Sequence, residues 1–248
     1  MKQSDLHREH EPTAVAARLS AATRHSYLGD IVLGAVDGTV TTFAIVAGVV
    51  GAAQPNAVAL VLGIANLLAD GFSMAVGNYL STKSERQIVD EVREREREHI
   101  EHVPEGEREE IRQIFASKGF EGDLLERIVD TITEDHGRWI DTMITEEHGL
   151  PLDTPSPLRA GLVTFAAFVV AGFVPLAPFF WSVLLGGNGH VFAKSAVATV
   201  ATFAVIGFFK GRLVRRSGLI SALETVAIGG VAAAMAYFVG VGLRPLIE

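Results

Sequence analysis

Apolar residues run along this chain in five long blocks: residues 30–53, 56–81, 158–184, 190–209 and 219–243. Each can carry a helix across a hydrocarbon core of about 30 Å, which needs roughly 20 residues. A soluble core has little use for five such blocks, so the pattern predicts five membrane-spanning helices. The first two blocks are parted only by the turn around "AQPN" and read as a helical hairpin. Between the second and third the pattern changes. "SERQIVDEVREREREHIEHV" holds no Gly or Pro, so the second span is expected to continue as one long helix until Pro104 stops it. "EGEREEIRQIFASKG" predicts a second helix ended by Gly119, and "EGDLLERIVDTITEDHGRWIDTMITEEHGL" predicts further helix broken near Gly137. The expected architecture is an all-α membrane protein with a three-helix domain inserted between helices 2 and 3. It divides into a polar tail (1–26), spans 1–2 (27–82), the acidic insert (83–157) and spans 3–5 (158–248).

Charge sharpens this division. The chain is 49% hydrophobic, with mean hydropathy +0.32 and formal charge −8. Residues 83–153 hold 21 of the 29 acids but 10 of the 21 basic residues, a net −11. Such a block repels nucleic acid and attracts cations. Without cysteine, disulfides and thiolate sites are excluded, leaving oxygen, imidazole and four methionine thioethers as ligands. The first 26 residues lack the apolar stretch of a cleavable signal. Basic residues set the orientation. Lys210, Arg212, Arg215 and Arg216 fill the 4–5 loop, and Arg18 and Arg24 precede the first span, while the 1–2 and 3–4 loops have none. The N-terminus and the insert are therefore expected in the cytoplasm and the C-terminus outside.

Candidate chemistry lies in both parts. A carboxylate inside a span is costly and usually lines a bundle interior or cavity. Asp37 shares one face of span 1 with Gly34, Thr41 and Gly48, and Gly34 with Gly38 forms a G-x-x-x-G. On span 2, Asn66, Asp70, Ser73, Met74, Gly77 and Asn78 form a second polar or small stripe. Antiparallel neighbours would bring Asp37 and Met74 level, each about 10 Å from the cytoplasmic boundary, with Asp70 about one turn deeper. A carboxylate beside a thioether suits a borderline divalent metal better than Ca2+ or Mg2+. The plainer reading is a helix–helix hydrogen bond and a packing methionine. In the insert, Glu96-x-x-His99 sets a carboxylate and an imidazole on one helix face, and Glu107-x-x-Glu110 repeats the spacing. Met143 and Glu147 offer a third face. The plainer reading there is a solvated, salt-bridged cap. His102, His136 and His148 are candidates to join these ligands, with a plain surface position the first expectation for each.

"DIVLGAVDGTVTTFAIVAGVVGA", "LADGFSMAVGNYLSTKSERQ", the acidic insert with "VPEGE", "GFVPLAPFF" and "GFFKGRL…SALETVAIGGVAAAMAYFVG" together resemble the vacuolar iron transporter family, from about Tyr27 onward. The resemblance implies a homodimer of five-span subunits that exports Fe2+, and often Mn2+, from the cytoplasm in exchange for protons. It places the route at the interface between the two first spans. Asp37 and Met74 match the family's membrane metal site, and Glu96, Glu107, Glu110, Met143 and Glu147 match its cytoplasmic metal domain. His99 stands where plant forms have glutamate, and Ile144 replaces a second methionine. The resemblance thus implies a transporter rather than an enzyme, with no resident cofactor, and the lack of a vacuolar sorting feature or long tail makes a bacterial inner-membrane version the expectation. Its cargo would be Fe2+ or Mn2+, with Zn2+ and Co2+ as further candidates. Its other partners would be protons, lipid and a second copy. The rivals are a membrane-anchored di-metal oxidase or iron store, which needs two Glu-x-x-His motifs, and a metal sensor.

Overall fold

The computed structural model describes residues 8, 10–22, 26–186, 189–214 and 216–246. Helices account for nearly all of them: α1 (Pro12–Ala22), α2 (Leu28–Gly51), α3 (Asn56–His102), α4 (Pro104–Ser117), α5 (Gly122–Thr133), α6 (His136–Glu146), α7 (Pro157–Leu185), α8 (Val191–Leu213) and α9 (Gly218–Leu243). Five of these are long and apolar enough to span a membrane, so the chain is a multi-span integral membrane protein. Helices α4–α6 form the expected insertion. Helix α1 was not expected, since the first 26 residues read as a polar tail. Arg24, Arg215 and residues 187–188 of the 3–4 loop lie outside the described residues.

The chain divides into two compact units, residues 1–25 with 81–156, and residues 26–80 with 157–248. The second is the membrane unit. Its helices expose Val61, Leu68, Phe72, Val170, Leu219 and Phe238, apolar faces that suit lipid rather than water. Its interior holds Phe43, Val46, Leu67, Phe168, Leu176 and Phe179. Hydrocarbon solvates protein and lipid side chains alike, so these helices must associate by close packing. Small residues supply it. A Cβ at Gly34 would collide with the Thr164 carbonyl, and one at Gly38 with the Phe168 carbonyl, so α2 lies backbone to backbone against α7. Further along α2, a Cβ at Gly51 would strike the Tyr237 carbonyl, and one at Gly240 the Gly48 carbonyl. The Ser195 hydroxyl donates to the Pro175 carbonyl (2.7 Å) and ties α8 to α7.

The other unit is built on the later turns of α3. Val89, Val92, Ile100, Ile111, Val129, Trp139, Ile140 and Met143 form its core. Pro104 opens α4, Gly119 (φ +92°) follows its end, and the Asp135 carboxylate caps α6 by accepting from the Arg138 amide (2.8 Å). The break between α5 and α6 therefore falls at residues 134–135, just ahead of Gly137. Arginines on α3 and α4 tie the helices of this unit together. Arg93 pairs with Asp141 (2.7 Å), Arg112 with Glu126 (2.8 Å) and Arg108 with Asp130.

Candidate functional site

In the inserted unit, the chain reverses at Val103–Pro104, and the first turn of α4 comes back beside the last turns of α3. That brings Glu107 to His99, with Nδ1 3.1 Å from Oε1. The C-terminus of α6 closes the other side. The Glu147 and His148 amides both donate to the Met143 carbonyl, and Gly149 (φ +64°) turns the chain away. His148 is thereby placed with Nε2 2.9 Å from Glu96 Oε1 and 3.5 Å from Glu147 Oε2. Ligand atoms of Glu96, His99 and Glu107 lie within 4.8 Å of one another, and so do those of Glu96, Glu147 and His148. Glu96 belongs to both groups. Arg95 Nε is 3.8 Å from it, the one guanidinium at that carboxylate among the described ion pairs.

Glu96 and Glu107 are 2% and 4% exposed, and the Oε2 atom of each is buried without a hydrogen-bond partner. An ionised carboxylate left so is expensive. The titration behaviour follows. Burial first, then Glu110 and Glu96, pushes the Glu107 carboxyl up to about 7, with His99 opposing. Burial and the neighbouring Glu147 and Glu96 also raise Glu110. A divalent ion would relieve both the desolvation and the like-charge repulsion. Mixed oxygen and imidazole donors suit first-row divalent metals.

Met143 is fully buried in the apolar core of the unit, so its backbone carbonyl is the part of it seen to organise the site. His102 conforms to the surface expectation, with Nδ1 2.8 Å from the Glu98 carbonyl, and His136 packs edge-on to Trp139. His148 does not conform: it sits inside the carboxylate cluster. The signal for it was the Gly149 helix stop, which turns residues 147–148 back toward α3. His148→Ala is expected to weaken Co2+ or Zn2+ binding to the full chain about tenfold, the usual penalty for removing an outer or weak ligand. His102→Ala should leave binding unchanged. Competition against a chelating dye measures both, and equal affinities for the two variants would remove His148 from the site.

In the membrane unit, Asp37 and Met74 line one cavity of about 530 Å³, together with Val36, Val40, Lys210 and Thr225. Asp70 is in electrostatic range of Asp37 and lies exposed on α3. The Thr41 hydroxyl donates to the Asp37 carbonyl (2.9 Å), and the Asn66 amide donates to Thr41 Oγ1 (3.2 Å), so these two tie α2 to α3 one turn from the cavity. Asn78 goes elsewhere. Its amide donates to Asp30 Oδ1 (2.9 Å) and Thr164 Oγ1 (2.7 Å), a polar knot joining α3, α2 and α7. The polar stripe of the second span is therefore divided between two places. Lys210 was read from the sequence only as a loop charge.

Comparison with known proteins agrees over nearly the whole chain. The VIT family model matches residues 28–241. A vacuolar iron transporter of Toxoplasma gondii is 37% identical over 225 residues, covering 88% of this chain and 74% of the relative. Vacuolar iron transporter 1 of Tulipa gesneriana is 36% identical over 211 residues, covering 84% and 83%. A vacuolar iron transporter of Plasmodium falciparum is 29% identical over 224 residues, covering 88% and 82%.

Proposed function

The chain belongs to the VIT family, and from that premise we propose that it carries Fe2+, and Mn2+ with it, out of the cytoplasm in exchange for protons. One observation carries the reading. A carboxylate and a thioether, Asp37 and Met74, share a cavity of the membrane unit, lined by α2, α3, α8 and α9. Asp37 replaces water around the cation, Met74 favours transition metals over Ca2+ and Mg2+, and a proton takes the carboxylate when the metal leaves. Residues 83–157 act as a collector, with Glu96, His99, Glu107, Glu110, Glu147 and His148 as its ligands.

The functional unit is a homodimer. An exposed Asp70 on an apolar helix is costly against lipid, and a second copy covers it. The basic residues Lys210, Arg212 and Arg216 at the α8–α9 connection support a cytoplasmic placing of that end and of the insert. The membrane proposed is the bacterial plasma membrane, although the relatives named above are eukaryotic. Cell fractionation decides between it and an internal membrane.

The test is ion flux in proteoliposomes under an imposed pH gradient, comparing Fe2+, Mn2+, Co2+ and Zn2+. Flux is expected to rise when the opposite compartment is acidified, and Asp70→Asn should weaken that dependence more than it weakens metal affinity. Flux indifferent to the gradient at fixed potential would make the protein a uniporter. Appearance of Fe3+ without flux would favour the oxidase reading.

A further inference from the structure

The cavity that holds Asp37 and Met74 has one more charged wall. Among its lining residues Lys210, near the end of α8, is the single base and Asp37 the single acid. Lys210 Nζ is 4.0 Å from Glu224 Oε2 on α9. The same lysine lines a neighbouring cavity of about 550 Å³, shared with Glu224 and Arg216. Its side chain therefore forms a partition between two spaces, one containing Asp37 and the other containing Glu224.

A fixed positive charge in the wall of a low-dielectric space opposes entry of a divalent cation. An empty carboxylate in the same space, equally, lacks compensation. The lysine stem has four flexible carbons and ends in a compact point charge, so one side chain can answer both needs. We propose that Lys210 is a tethered counter-cation for the transport cavity, with Glu224 as its parking site. Metal at Asp37 drives the ammonium to Glu224, and when Asp37 has lost both metal and proton the ammonium turns toward it. Lys210 and Glu224 are thus positioning residues that set how tightly the cavity holds its cargo, and the inference rests on the transport reading above.

The proposal fixes the sign of each variant. Lys210→Gln removes the competitor and should lower the KM for metal about fivefold, whereas Lys210→Arg should stay near wild type. Glu224→Gln frees the ammonium to compete for Asp37 and should raise KM by a similar factor. In the Lys210→Gln background, Glu224→Gln should then change nothing, an interdependence that loss of packing would not produce. The proposal is overturned if Lys210→Gln leaves KM unchanged or raises it, or if Glu224→Gln acts equally with and without the lysine.

A second measurement needs no flux. In detergent-solubilised full chain carrying Glu96→Ala and Glu107→Ala, which silences the insert, Co2+ affinity should follow the same order and vanish with Asp37→Asn. If wild-type protein moves no metal, the transport reading falls. The affinity order then still decides whether Lys210 competes for Asp37.

Discussion

Asp37→Asn is expected to cut metal flux at least about a hundredfold while leaving a folded protein. The amide keeps the shape of the side chain but not its charge. A single charge lost beside a divalent ion in a poorly solvated cavity is worth about 3 kcal/mol or more, which is that factor in rate. The fold should survive because the structural bond at this residue is made by its backbone: the Asp37 carbonyl accepts from Thr41. The side chain faces the cavity. Flux in proteoliposomes, with size-exclusion profile and helicity as controls, checks both halves. Undiminished flux in a well-behaved sample would end the assigned role.

Glu107→Gln is expected to stabilise the metal-free protein near pH 8 and abolish its stabilisation by metal. The folded-state pKa of Glu107 is about 7, above the ordinary 4.5, so folding tightens its grip on a proton. The group's contribution to stability is present in full below pH 4.5. It declines as pH rises and is lost above about 7. Glu110 moves in the same direction. Wild-type protein in chelator should therefore melt several degrees lower at pH 8 than at pH 5, and a divalent ion should recover that loss. In Glu107→Gln the pH difference should shrink and the metal effect disappear. Equal pH dependence in the two proteins would show that Glu107 ionises without strain and would overturn its assigned part in metal binding.

The membrane helices were legible because each is a run of apolar residues that nothing but a span uses economically. The long α3 was legible because Pro104 alone interrupts it. Spacing along single helices also singled out Glu96, His99 and Glu107, which the structure gathers. What spacing cannot supply is the meeting of segments distant in sequence. His148 joins Glu96 from 52 positions away, past a helix stop whose direction depends on tertiary packing. Asn78 looked like part of the Met74 stripe, but a small rotation about α3 sends it to Asp30 and Thr164 instead. Lys210 was misread for a simpler reason. The apolar block ends at Phe209, yet the helix runs on to Leu213, because a lysine with a long apolar stem continues a helix well. A residue taken for loop charge thus faces a cavity.

The glycines of α2 have a consequence for how the cavity can open. Gly34 and Gly38 press that helix against α7 on either side of Asp37, and Gly48 and Gly51 press its far half against α9. Backbone-to-backbone seams of this kind have no side chain to yield, so the carboxylate is borne on the stationary jaw of a vice. Met74 rides on α3, which meets the same α7 backbone: a Cβ at Gly161 would strike the Ala75 carbonyl, one residue from the thioether. Carboxylate and thioether therefore keep a spacing that close packing against α7 sets, and under the proposed exchange the metal leaves because a proton takes the carboxylate rather than because the cavity spreads.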